Sequence, residues 1–141
     1  MYRKILLGYN GSANSANALQ QAASLARQCG AELHILGIVA TSGGFSIAQA
    51  AGGVDMGAMK RKMIEQALAE AAQDVGISEV CHSLTVREGN TAMEIVAHAR
   101  QIGADLVVLG HSDRSRFTRW FSGSTSSTLL QDLPCSLLIA P

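Results

Sequence analysis

The sequence predicts an α/β protein built on a single doubly wound, open parallel sheet of five strands with helices on both faces. Three observations carry this. Short apolar runs alternate almost strictly with helical stretches along the chain, the order expected of βαβ units joined by right-handed crossovers. The runs are nearly continuous in Ile, Leu and Val, as strands covered by helices on both sides must be. Finally, 141 residues of which 48% are apolar make one packed core and are too few for two ordinary domains. Residues 1–141 are therefore read as one domain.

Ile5-Leu6-Leu7-Gly8-Tyr9 is the first strand, and the turn cluster Asn10-Gly11-Ser12 supplies an N-cap for a helix over Ala13–Gln28. Gly30 stops that helix, and Leu33–Val39 is the second strand. From Thr41 to Gly57 the chain runs in Gly, Ser and Ala without a period and reads as a long connector. Met59–Val75 places Met59, Met63, Ala67, Leu68, Ala71 and Val75 at three- and four-residue spacing, an inward stripe with Lys60, Arg61, Glu65 and Glu70 outside. Val80–Arg87 alternates Val80, His82, Leu84 and Val86 against Cys81, Ser83, Thr85 and Arg87, which suits a half-buried strand near a sheet edge. Glu88-Gly89-Asn90 turns into a helix over Thr91–Ile102, and Asp105–Gly110 is as apolar as a central strand. After a polar loop, Ser124–Asp132 reads as the last helix and Pro134–Ala140 as the last strand.

Eleven basic and eleven acidic residues cancel, so no general field draws in nucleic acid or an anionic membrane. The opening residues lack the apolar run and cleavage site of a signal peptide, and no stretch reaches about 18 apolar residues. A soluble cytoplasmic protein is expected, with neither nucleic acid nor membrane as a partner. Cys29, Cys81 and Cys135 are odd in number and widely spaced, and read as small buried hydrophobes rather than a disulfide or zinc framework. His34 and His82 lie in strand runs, and His98, four residues after Glu94, is placed on a helix surface; none has metal-ligand spacing. No metal site is expected.

In such a sheet a ligand binds beyond the carboxyl ends of the strands, where the strand order reverses. The first and fourth strands are its natural flanks. Gly8-Tyr9-Asn10-Gly11-Ser12 follows the first, and the segment from Gly110 to Thr125 follows the fourth. That segment holds His111, Arg114, Arg116 and Arg119 against the single Asp113, and closes on Gly123-Ser124-Thr125 at a helix start. Free N–H groups at a helix N-terminus, with Ser and Thr hydroxyls beside them, cradle anions. A plainer reading of the same residues has Gly110 ending a strand and Gly123-Ser124 capping a helix. Phe117, Trp120 and Phe121 read as packing the loop onto the body.

Here the chain resembles the universal stress protein family. Members that bind ATP carry G-x-x-G, nine residues and then G-[ST] after the fourth strand. In this chain Gly110-His111-Ser112-Asp113 is followed by a nine-residue spacer, Arg114–Ser122, and by Gly123-Ser124. The resemblance extends to the Asn-Gly-Ser turn, the region after the second strand and the Pro-Cys-Ser-Leu-Leu-Ile-Ala ending. It implies a Rossmann-like fold of the adenine nucleotide alpha hydrolase type and, as cofactor, ATP or a related adenine nucleotide, with or without Mg2+. Carried over by position, Gly110, Gly123 and Ser124 match the phosphate loop, and Thr125 is the adjacent main-chain position. Ile38 sits where the second strand meets adenine, and Asn10 matches an acidic residue near the nucleotide. Gly8, Tyr9, His111, Asp113, Arg114 and Arg116 complete the candidate binding set.

Two departures matter. Asn10 removes a carboxylate but keeps an amide that hydrogen-bonds a base or ribose. Asp113 replaces a glycine and adds a negative charge, which at about 5 Å from phosphate costs roughly 3 kcal/mol if unopposed. Arg114 and Arg116 stand close enough in sequence either to neutralise it or to contact phosphate themselves, and the sign of the net effect stays open.

The function implied is that of a small stress-response regulatory protein holding an adenine nucleotide. No catalytic residues are assigned, because a transferase needs metal carboxylates or a base near the phosphates, and Asp113 is the only nearby carboxylate. Two alternatives stand beside it: a member that has lost nucleotide binding and acts as a dimeric interaction module, and a slow ATP-hydrolysing enzyme. A flavin carrier needs more aromatic residues than 4%, and a phosphoacceptor domain needs aspartates that Tyr9-Asn10 and Arg87-Glu88 do not supply. The resemblance also implies a homodimer through the last strand. Leu137-Leu138-Ile139 agrees with that, since an apolar strand at a sheet edge is a liability unless covered.

Overall fold

A computed structural model describes residues 1–11, 13–40, 56–110 and 129–141. In chain order they form β1 (Lys4–Tyr9), α1 (Ala13–Cys29), β2 (Glu32–Ala40), α2 (Met56–Val75), a 3-10 turn (Ile77–Glu79), β3 (Cys81–Gly89), α3 (Thr91–Ile102), β4 (Leu106–Gly110), α4 (Leu129–Asp132) and β5 (Ser136–Ala140). The strands make one parallel sheet in the order β3-β2-β1-β4-β5. The chain winds outward from β1 to β3 and then returns to the other side of β1, so the order reverses between β1 and β4. The predicted architecture is therefore the observed one. No helix among the described residues is long and apolar enough to cross a membrane.

Two apolar layers sandwich the sheet. Ile5, Leu7, Leu33, Ile35 and Val108 pack against α1 and α2. Leu6, Leu36, Ile38, Val107 and Leu109 face α3 and α4. Strand period two sends alternate side chains to opposite layers, which is why these runs show no polar side. The amino ends of β1 and β4 are clamped by Asp105, whose carboxylate accepts from the main-chain N–H of Arg3 at 2.8 Å and of Lys4 at 3.1 Å. The Lys4 ammonium in turn donates to the Ile102 carbonyl at 3.1 Å.

α3 is bounded as its sequence suggests. Asn90 caps it by accepting from the Met93 N–H at 3.1 Å, and Gly103, with φ 69°, ends it in the left-handed region.

Four expectations need correction. The helix α2 begins at Met56, so Met56 and Gly57 belong to it rather than to the connector; positions 41–55 lie outside the described residues. Its inward stripe is Ile64, Ala67, Leu68, Ala71 and Ala72, while Met59 and Met63 are 50% and 68% exposed. The cause is Gly37 in β2: a Cβ there would lie 2.9 Å from Ile64 Cγ2 and 3.2 Å from Val86 Cγ2, so the helix seats Ile64 in a notch the glycine leaves. One turn earlier the inward line passes through Arg61, which is half-buried, donates to the Val86 carbonyl at 2.9 Å and pairs with Glu88 at 3.8 Å.

β3 is an edge strand, as expected, but its alternation is broken. Leu33 is level with Cys81 and His34 with Ser83, so His82 is an extra residue in the strand. Cys81 thus shares a face with Leu84 and Val86. The three cysteines are half-buried and unbridged, and burial pushes the Cys81 and Cys135 thiols up. Lastly, His98 is not on the surface of α3 but on its buried face.

Candidate functional site

The reversal of strand order leaves α1 and α3 on opposite sides of the β1–β4 pair, and sheets of this kind take a ligand at the carboxyl ends of the two strands where the order reverses. Three pieces meet there. Asn10, an exposed residue, directly follows β1. Its main-chain N–H donates to Ser15 Oγ at 3.1 Å, and the Ser15 hydroxyl donates to Asn10 Oδ1 at 2.5 Å. Ser15 is only 3% exposed, so a buried hydroxyl in the first turn of α1 fixes the side chain at the end of β1.

The third piece is Gly110, the last residue of β4. A Cβ on it would lie 2.5 Å from the Asn14 carbonyl oxygen, 2.6 Å from its carbon and 3.0 Å from the Ser15 nitrogen. The end of β4 therefore rests directly on the main chain of the first turn of α1. That contact has no room for any side chain, and both sides of it are backbone.

The remaining predicted residues divide into two groups. Gly8 is buried, and a Cβ on it would meet Leu109 Cδ2 at 2.5 Å. Tyr9 is buried beneath α2, its hydroxyl donating to the Ala67 carbonyl at 3.3 Å, and burial, with the Glu70 carboxylate second, raises its phenol above the ordinary range. Ile38 packs under α3. Gly8, Tyr9 and Ile38 thus have their side-chain positions committed to the core. His111, Asp113, Arg114, Arg116, Gly123, Ser124 and Thr125 lie outside the described residues. Ser15 is the residue that reading the sequence missed; the available signal was a serine in the first turn of a helix, five residues after a strand-ending asparagine.

A helix N-terminus with free N–H groups carries partial positive charge. The first turn of α1 holds no acidic residue to offset it. Among the described residues no group of three or more His, Cys, Asp or Glu is placed to hold a metal ion.

Comparison with known proteins gives a consistent result. The sequence profile of the universal stress protein family matches residues 1–141. Universal stress protein YxiE of Bacillus subtilis is 31% identical over 150 aligned positions that cover 99% of both chains. Among solved structures, universal stress protein UspA from Lactobacillus plantarum superposes with a TM-score of 0.74 at 20% identity, over 99% of this chain and 98% of that one. A universal stress protein in complex with cAMP gives 0.65 at 21% identity, over 99% and 97%. The Archaeoglobus fulgidus universal stress protein in complex with dAMP gives 0.65 at 18% identity, over 99% and 98%. With the profile spanning the whole chain and YxiE alike over nearly its full length, the chain belongs to the universal stress protein family.

Proposed function

We propose that the chain binds an adenine nucleotide at the carboxyl ends of β1 and β4, and acts in the cytoplasm as a stress-response regulatory protein whose state follows the bound nucleotide. The observation that carries this reading is the convergence at those strand ends. Gly110 lets β4 close onto the N-terminal turn of α1, beside the Asn10–Ser15 pair and at the start of the basic segment that follows Gly110. In this reading the phosphates lie at Gly110, Gly123, Ser124 and the main chain of Thr125, with His111, Arg114 and Arg116 supplying positive charge. The base lies toward Ile38 and Asn10. Family members in complex with cAMP and with dAMP support the adenine class; the spacing of Gly110, Gly123 and Ser124 favours ATP within it, with or without Mg2+.

Calorimetric titration of nucleotide-stripped protein with ATP, ADP and AMP tests the proposal. Binding of at least one is expected, with resonance shifts confined to the β1 and β4 ends. Ser15→Ala removes the hydroxyl that orients Asn10 and should weaken binding about fivefold, the worth of one neutral hydrogen bond of about 1 kcal/mol. Asp113→Gly should strengthen ATP binding. The absence of heat with all three nucleotides, or shifts clustered elsewhere, would defeat the proposal.

We also infer a homodimer through β5. That strand is a sheet edge, and Leu137, Leu138 and Ile139 are only half-buried on it. Charged residues are scarce at 16%, against about 25% usually. Light scattering at micromolar concentration should return twice the chain mass, and a monomeric mass would remove the inference.

A further inference from the structure

α3 docks on the sheet through a face that includes a buried histidine. His98 is 5% exposed, and neither of its ring nitrogens has a hydrogen-bond partner among the described residues. An unpartnered imidazole is costly to bury when neutral and far more costly when charged.

Its surroundings worsen the charged form. β3 brings Arg87. β2 brings His34, with Nδ1 against Ser83 Oγ at 2.6 Å, Nε2 against the Glu32 carboxylate at 3.1 Å, and its ring 5.1 Å from that of His82. β1 brings Lys4, bonded to the end of α3. α3 itself carries Glu94 one turn earlier and Arg100, which donates to the Asp132 carbonyl of α4 at 2.9 Å. Burial first, then Arg87 and His34, push the His98 imidazole below its ordinary range, against a smaller upward pull from Glu94.

We propose that His98 is an acid-sensitive latch: uncharged, it lets α3 lie on β2 and β3, and when it takes a proton from solvent the helix comes away from the sheet. The folded state prefers the neutral ring. His98 therefore adds stability above the unfolded pKa of about 6.5, and that contribution is lost as pH falls from there toward the folded value. Each unit of depression makes the docking equilibrium about tenfold less favourable once both values are passed. The loss is local because α3 belongs to a different apolar layer from α1 and α2. Asn90, the cap of α3, lies at the same carboxyl end of the sheet as Asn10 and Gly110, so release of the helix reshapes that end whether or not a nucleotide binds there.

The test is a resonance titration of the His98 ring together with hydrogen exchange, corrected for intrinsic rates, on the full chain from about pH 7.5 to about pH 5. The ring is expected to titrate below the ordinary histidine value. The amides of Ile95–Ile102 should lose protection as pH falls below about 6.5, by at most about tenfold per pH unit, while those of α1 hold. His98→Leu should abolish that loss and His82→Gln should keep it. A ring that titrates at or above the ordinary value, equal loss in α1, or an undiminished loss in His98→Leu overturns the latch. The wild-type measurements decide the matter even if the leucine variant does not fold.

Discussion

Gly110→Ala is expected to lower the stability of the domain by about 3 kcal/mol, the upper part of the range for overpacking a close contact, and to lower Tm by roughly 10 °C. The new methyl group would sit 2.5 Å from the Asn14 carbonyl oxygen. Neither partner is the free end of a side chain, so relief requires β4 to move off α1. Gly8→Ala makes a contact of the same length, but with Leu109 Cδ2, which can turn away, and its cost should be nearer 1 kcal/mol. Thermal and urea unfolding of the two variants side by side will separate them, and a Gly110→Ala variant as stable as the parent would mean that the strand end does not rest on the helix. Because Gly110 also belongs to the proposed nucleotide site, the stability measurement is made without ligand.

Asp105→Ala should cost about 2 kcal/mol, less than the roughly 3 kcal/mol minimum for two hydrogen bonds to a charged group because the carboxylate is partly in solvent. The carboxylate collects the N–H groups of Arg3 and Lys4, more than a hundred residues away in sequence, and so joins the amino ends of β1 and β4 before their ladder begins at Ile5 and Leu106. Asp105→Asn keeps one acceptor and should recover about half of the loss. Equilibrium unfolding checks both, and equal stability of the alanine and wild-type proteins would show that the clamp contributes nothing.

Much of this molecule was legible before any coordinates. The apolar runs at Ile5–Leu7, Leu33–Val39 and Leu106–Leu109 became the three central strands, and α3 runs over Thr91–Ile102 after the turn at Asn90, as read. Local preference and burial agree at those positions, so a one-dimensional reading suffices. Elsewhere the outcome depended on what lies opposite. Met59 and Met63 satisfy helical spacing as well as Ile64 and Leu68 do, and spacing alone does not choose between overlapping stripes; the notch at Gly37, some twenty-seven residues before Ile64, chose. His82 fits an alternating strand until the register with Leu33 and His34 makes it a bulge.

The sequence by itself determined the fold class and the family, because periodicity, turn residues and motif spacing are local or linear properties. Only the tertiary structure decided how those ends are built. That Ser15 orients Asn10, that Gly110 is required by the backbone of α1, and that His98 is sealed beneath α3 without a partner among the described residues all depend on elements brought together from distant parts of the chain. Contact distance and desolvation are properties of that assembly, and no stretch of sequence carries them alone.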